Sequence, residues 1–255
     1  MKKIWITSLD KDEKTVQQVM AVATRYGLGP DGHFWQDDLE KMAWVGVKEQ
    51  LLDTRVTLWV ILGSGKELQP ETRYGLTLLK LVLERERPAL SILWMDKKPD
   101  AQLGELPGAF ASVVRVPVDS GAVGAKFAAM ANMPAGKSVY PYRLFVHANP
   151  GLGVWFEVGP SENISWTGAL FGIHEGEIKA MGFGPAGELP DKCVLEYPLR
   201  GVQLEAGDTQ FLAWGARNVL TDEKSAYFKV DGVPRGLLFG ELPEGEEADL
   251  HRLAV

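Results

Sequence analysis

The residues closest together in sequence that could do chemistry are Gly63-Ser64-Gly65-Lys66, with Glu67 and Glu71 just beyond. Free backbone amides at a helix start, with a lysine beside them, suit a phosphate group. A carboxylate there, Glu71 or Glu67, could steady a developing oxocarbenium ion or accept ribose hydroxyls. Ser8 and Asp10, after the first apolar segment, and Trp35, able to stack on a base, complete a candidate crevice. Glu71 is the candidate catalytic residue. Ser8, Asp10, Trp35, Ser64, Gly65 and Lys66 are the candidate cofactor-binding residues. A plainer reading stands beside each: solvated acids favouring a helix N-terminus, an ordinary strand-to-helix turn, and a tryptophan covering the core or a sheet edge.

Several motifs are excluded by spacing. A Walker-type phosphate loop needs Gly at 60 and Ser or Thr at 67, where the chain has Val60 and Glu67. No Gly-x-Gly-x-x-Gly follows the first strand, and no Gly-x-Ser-x-Gly elbow surrounds Ser64. His33, His147, His174 and His251 are scattered, without metal-ligand spacing, so no metal site is expected.

The elements that must position these residues follow from the pattern around them. Val56 to Leu62 is a run of seven apolar or β-branched residues ended by glycine. Such a run fits a strand buried on both faces of a parallel sheet. Pro70 then opens a helix reaching about Glu86. Upstream, Lys2 to Leu9 reads as a strand. Asp10 with Glu13 forms a capping box for a helix whose face is Val16, Val19, Met20 and Ala23, closed by Gly27. Gly29 to Gly32 is turn chemistry, and His33-Phe34-Trp35 a short strand. Asp37 or Asp38 caps a helix with Leu39, Met42, Ala43, Gly46, Val47 and Leu51 on its apolar face. Ala89 to Met95 and Ser112 to Val118 are further strands, and Gly121 to Met133 a last helix. Right-handed crossovers make the simplest solution a flavodoxin-like five-stranded parallel sheet of order 2-1-3-4-5. Its switch point falls between strands one and three, beside Ser8 and Ser64. Trp5, Trp59 and Trp94 lie on central strands and read as core.

From Val139 the texture changes. Tyr142–Ala148, Leu152–Val158, Ala169–His174, Glu177–Met181, Val194–Leu199, Thr209–Trp214, Ala226–Val230 and Gly236–Leu242 read as strands between turn signals. That spacing implies an all-β antiparallel sandwich. The stretch from Glu241 to Asp249 reads as a solvated acidic tail. Residues 1–134 hold 17 basic and 17 acidic residues, and residues 135–255 hold 10 and 17, so the second part carries the whole net charge of −7. That excludes nucleic acid as its partner. Glycine rises from 11 to 17 across the same boundary. Two domains, 1–134 and 135–255, account for both shifts. The lone Cys193 forms no internal disulfide, no stretch reaches the roughly 20 apolar residues of a membrane span, and charges from Asp10 to Glu13 interrupt any secretory signal. The cytoplasm is the expected compartment.

Lys3-Ile4-Trp5-Ile6-Thr7-Ser8-Leu9-Asp10-Lys11-Asp12, with Trp44 through Leu52, Thr54-Arg55 and Val60-Ile61-Leu62-Gly63-Ser64, resembles the opening, second helix and third strand of Toll/interleukin-receptor (TIR) domains. TIR domains self-associate in signalling, and some cleave NAD with a glutamate on the helix after that serine. Here the matching position is near Tyr74-Gly75, with Glu71 the nearest acid. The run Val202 to Phe211, with Trp214 to Arg217 and Ser225 to Val230, resembles aegerolysin-type sandwiches, which bind membrane lipids. These resemblances imply a non-catalytic, bacterial-type TIR-like signalling or nucleotide-binding module, self-associating or meeting a protein partner, joined to a partner-recognition sandwich. Two competing expectations are a hydrolase of NAD or another nucleotide at the crevice, and a lipid- or glycan-binding sandwich protein.

Overall fold

A computed structural model describes residues 1–64, 68–97, 104–133, 136, 139–245 and 249–255. The chain divides into two compact units, Met1–Ser138 and Val139–Val255.

In the first unit, β1 (Lys3–Ser8), β2 (Gly29–Phe34), β3 (Val56–Leu62), β4 (Ser91–Asp96) and β5 (Val114–Pro117) form one sheet. All neighbours are parallel and the order is β2-β1-β3-β4-β5. The topology is flavodoxin-like, with the apolar run of β3 at the centre. Ile4, Ile6, Leu58, Val60, Leu62, Leu93 and Met95 meet α1 (Glu13–Arg25) and α4 (Val123–Asn132) through Val19, Ala23 and Phe127. The opposite face carries Trp59 and Trp94, both against the edge of Phe110 at 5.9 and 6.0 Å. Each indole is tied down inside: Trp59 Nε1 donates to Thr7 Oγ1 (2.9 Å) and Trp94 Nε1 to the Gly63 carbonyl (3.2 Å). α2 (Ala43–Leu51) and α3 (Pro70–Glu86) complete the unit, with Pro70 in the first turn as its fixed φ favours.

Three local expectations change. Asp12, not Asp10, caps α1, accepting from the Thr15 N–H at 3.1 Å. Asp10 is occupied by Ser8 and Lys97, and the helix starts two residues later. Gly29 to Gly32 is strand rather than turn, in register with Lys3 to Ile6. Pro30 is tolerated because β2 is an edge strand. Gly32 is required because a Cβ there would lie 2.2 Å from the Ile6 carbonyl oxygen. α2 begins at Ala43 behind Met42, which is left-handed at φ 50°. Asp38 instead caps the preceding turn by accepting from the Lys41 N–H (3.0 Å). Gly46 is exposed on α2, and Trp44 joins Val47 and Leu51 on its buried side.

The second unit holds β6 (Tyr142–Asn149), β7 (Gly153–Pro160), β8 (Ala169–His174), β9 (Glu177–Pro185), β10 (Leu199–Ala206), β11 (Thr209–Ala216), β12 (Lys224–Asp231), β13 (Gly236–Glu241) and β14 (Leu250–Ala254). They form two antiparallel sheets, β10-β11-β8-β13-β14 and β6-β7-β12-β9. Phe171 of the first sheet stacks on Phe156 (5.4 Å) and Phe228 (4.9 Å) of the second. Val194–Leu199 is not a strand. β10 starts at Leu199 and turns into β11 at Gly207, whose φ of 59° suits glycine. β14, beyond the acidic stretch, pairs with β13.

Candidate functional site

Among the described residues, polar groups at the carboxyl ends of β1, β3 and β4 find partners within the fold. The Ser8 hydroxyl is buried and donates to the Asp10 carbonyl (2.8 Å) and Oδ1 (3.3 Å). Leu9 lies over Gly63, where a Cβ would stand 2.6 Å from Leu9 Cδ1. The Gly63 N–H donates to the Met95 carbonyl (3.1 Å), and its own carbonyl takes the Trp94 indole. The polar groups at the tip of β3 are therefore satisfied internally.

Charges at this edge are paired as well. The Lys97 ammonium donates to the Asp10 carboxylate and to Asp12 Oδ2 (3.2 Å). Hydrogen bonds from Thr15, then the contact with Lys97, hold the Asp12 carboxyl down at about 2. Asp96 is buried and takes the Arg115 guanidinium in a fork, Nη2 to Oδ1 at 2.6 Å and Nε to Oδ2 at 3.0 Å. Two-point arginine–carboxylate pairing of this kind fixes geometry.

Among the described candidate residues, Ser8 and Asp10 are in direct contact. Trp35 is buried, donates to Asp37 Oδ1 (2.7 Å) and presses on α3, where a Cβ on Gly75 would lie 2.8 Å from its ring. Asp37 also accepts from the Thr72 hydroxyl (2.9 Å), so it clamps the end of β2 to the start of α3. Ser64 is half-buried, and Glu71 is exposed in the first turn of α3. Gly65, Lys66 and Glu67 lie outside the described residues. Sequence reasoning missed Lys97, Asp12 and Arg115. The signal was available: a lysine directly after β4 faces the loop after β1 once the strand order is drawn.

The second unit presents a different kind of surface. Val194, Tyr197, Val219 and Leu199 are exposed by 80, 78, 58 and 43 %. A short network ties the backbone beside them. The Arg217 N–H donates to the Glu196 carbonyl (2.7 Å), the Glu196 N–H to Asn218 Oδ1 (3.0 Å), and Asn218 Nδ2 to the Val194 carbonyl (2.8 Å). Tyr197 sits at φ 46°, a conformation that costs energy for a residue with a side chain. Next to it, the Arg200 guanidinium lies over the Trp214 ring at 4.8 Å.

Among the described residues no cluster of His, Cys, Asp or Glu could hold a metal ion, and no helix is long and apolar enough to cross a membrane. No family model matches the chain, and no curated protein matches it. Among solved structures, the chain is similar to a pilus assembly-related protein from Burkholderia pseudomallei K96243 (15% identity, TM-score 0.35, covering 54% of this chain and 95% of that one). It is also similar to a CheY-like protein, tadZ, from Pseudomonas aeruginosa PAO1 (12% identity, TM-score 0.34, 54% and 98%).

Proposed function

We propose that this chain is a non-catalytic recognition protein, in which a signalling-type flavodoxin-like unit is joined to a β-sandwich that engages a protein partner. The observation that carries the reading is the exposure of Val194, Tyr197, Leu199 and Val219 on two segments tied to each other by hydrogen bonds. Exposed apolar groups held together by hydrogen-bonded backbone mark interaction surfaces. Tyrosine and arginine stacked on tryptophan are the residue types that dominate binding energy at such surfaces.

The partner tested first is a second copy of the chain. Sedimentation velocity across a wide concentration range should show reversible association. Tyr197→Ala with Val194→Asp should abolish it without changing the circular dichroism. A strict monomer at the highest concentration overturns self-association.

Hydrolysis of NAD or another nucleotide would ask for an open crevice with a carboxylate over the sugar. Here Ser8, Asp10 and Trp35 spend their polar atoms within the fold, and Glu71 is solvated. Purified protein incubated with NAD should release no nicotinamide. Release by the wild type, lost in Glu71→Gln, overturns the non-catalytic reading.

A further inference from the structure

One sheet of the second unit ends on β10, which pairs with β11 along one side. Gly207 and Asp208 join the two strands, and Ala206 faces Thr209 across that turn. The pair closing a two-residue hairpin exchanges both backbone hydrogen bonds, and bonded and unbonded pairs then alternate. Ala206, Leu204 and Val202 therefore turn their peptide groups to β11, while Glu205 and Gln203 turn theirs outward. Among the described residues no hydrogen bond reaches those outward groups. A strand edge left open in this way is a template for another strand. The first unit guards its own edge: on β2, Pro30 has no N–H to offer, and the Gly32 N–H is taken by Asp31 Oδ1 at 2.9 Å. From Arg200 to Ala206, β10 has neither proline nor lysine.

The side chains of β10 are complementary to a second copy of themselves. Gln203 and Glu205 lie opposite Leu212 and Gln210, and a bulge sets Arg200 and Gly201 together against Trp214, with the guanidinium over its ring. Arg200, Gln203 and Glu205 thus share one face of the sheet. Val202 and Leu204 are half-buried on the other, packed with Leu170, Ala213 and Leu242. A two-fold axis normal to the sheet pairs two such strands antiparallel and sets one residue opposite its own copy. With Gln203 at that point, Val202 and Leu204 each meet the other in the second copy. Glu205 then meets the second copy's Arg200 and Gly201, and the missing side chain at Gly201 leaves the carboxylate room to reach the guanidinium. Among the described residues neither Arg200 nor Glu205 has an ion-pair partner, and Glu205 accepts from Gln210 Nε2 at 3.2 Å.

We propose that two copies of this chain join through β10, antiparallel about Gln203, so that one sheet of five strands from each copy runs through the dimer. The inference rests on the self-association read above from the apolar patch, and assigns to it a strand pairing and a register. Tyr197 and Leu199 lead into β10, so the patch borders the same edge. Each copy spends its open edge on the other, so association through β10 stops at two.

Amide exchange and sedimentation velocity on the full chain test the pairing. In dilute protein the Gln203 and Glu205 amides should exchange rapidly. Where sedimentation shows nine-tenths dimer, both should slow by about tenfold, since only the free edge exchanges. Arg200→Glu and Glu205→Arg should each weaken the dimer about tenfold, because symmetry creates two like-charge contacts. Arg200→Glu combined with Glu205→Arg should return the affinity to within about threefold of wild type. Both positions are exposed, and the exchange measurement needs no variant at all. A strict monomer overturns this inference together with the self-association beneath it. A dimer that Tyr197→Ala with Val194→Asp dissociates, but in which Gln203 and Glu205 stay unprotected, overturns the strand pairing alone. Protection of both amides without rescue by the combined charge exchange overturns the register about Gln203.

Discussion

Acid should weaken the first unit through His33 in particular. Burial lowers its imidazole from 6.5 to about 4, because a charged ring beside Trp5 and Trp35 would lose water it cannot replace. In the unfolded chain the ring binds a proton near its ordinary value. Between these two values the unfolded state holds more protons, so stability falls as pH is lowered through that window. At about 1.4 kcal/mol per pH unit, the loss reaches about 3 kcal/mol by the folded pKa. A protonated ring would also turn an Nδ1–H against the Trp5 N–H, which already points there. The measurement is amide exchange in β1 and β2 at a series of pH values, for wild type and His33→Phe. Other carboxylates weaken both proteins alike, so the difference between them isolates His33. Wild type should be the more stable near neutrality, since His33→Phe leaves the Trp5 N–H without an acceptor, and the gap should close by about 3 kcal/mol toward pH 4. An NMR titration of the ring gives the same answer directly. A His33 that titrates near 6.5, or a gap that does not change with pH, refutes the reasoning.

Three further outcomes follow from the packing. Glu157 is fully buried and accepts from His147 Nε2 (2.6 Å), Ser225 Oγ (2.7 Å) and the Gly187 N–H (2.8 Å); Glu157→Ala strands these groups and should cost the second unit about 3–5 kcal/mol in urea unfolding. Burial alone would raise its carboxyl, but those hydrogen bonds outweigh it and leave it below 4.5, so its contribution is present at neutral pH and lost as pH falls through the folded pKa. Gly32→Ala drives a methyl into the Ile6 carbonyl and should cost about 1–3 kcal/mol or more, with exchange protection falling in β2 before β3. In Lys97→Met, Asp12 should still titrate well below 3.8, because the Thr15 hydrogen bonds that chiefly hold it remain; a return to the ordinary value would make Lys97 the main cause.

The strand order was readable because its evidence is local and redundant. Val56 to Leu62 is apolar throughout, Pro70 marks the start of α3, and parallel strands joined by helices leave few topologies. What stayed hidden depends on neighbours. Gly29-Pro30-Asp31-Gly32 has the composition of a turn, and only pairing with β1 makes it extended. Leu195, Tyr197 and Leu199 alternate as a half-buried strand does, yet the Glu196 backbone bonds to Arg217 and Asn218 instead of a ladder, and Tyr197 and Leu199 face outward. Leu250 to Ala254 lacked a long apolar run and gained its strand from β13. At the crevice, Ser8 and Asp10 were legible as neighbours, whereas their partner Lys97 is 87 residues from Asp10 along the chain.

The described side chains at the strand tips spend their polar groups on one another. Lys97 bridges Asp10 and Asp12, the Ser8 hydroxyl donates to Asp10, and Asp96 takes Arg115 in a fork. A ligand there would have to break such pairs to gain its own. Beside β2 the imbalance runs the other way. With Trp5 donating to Nδ1, the fold keeps the His33 Nε2–H buried without a partner, and an unsatisfied buried donor costs about 1–3 kcal/mol. The Trp5–His33 hydrogen bond and the packing around it must offset that cost in the folded state.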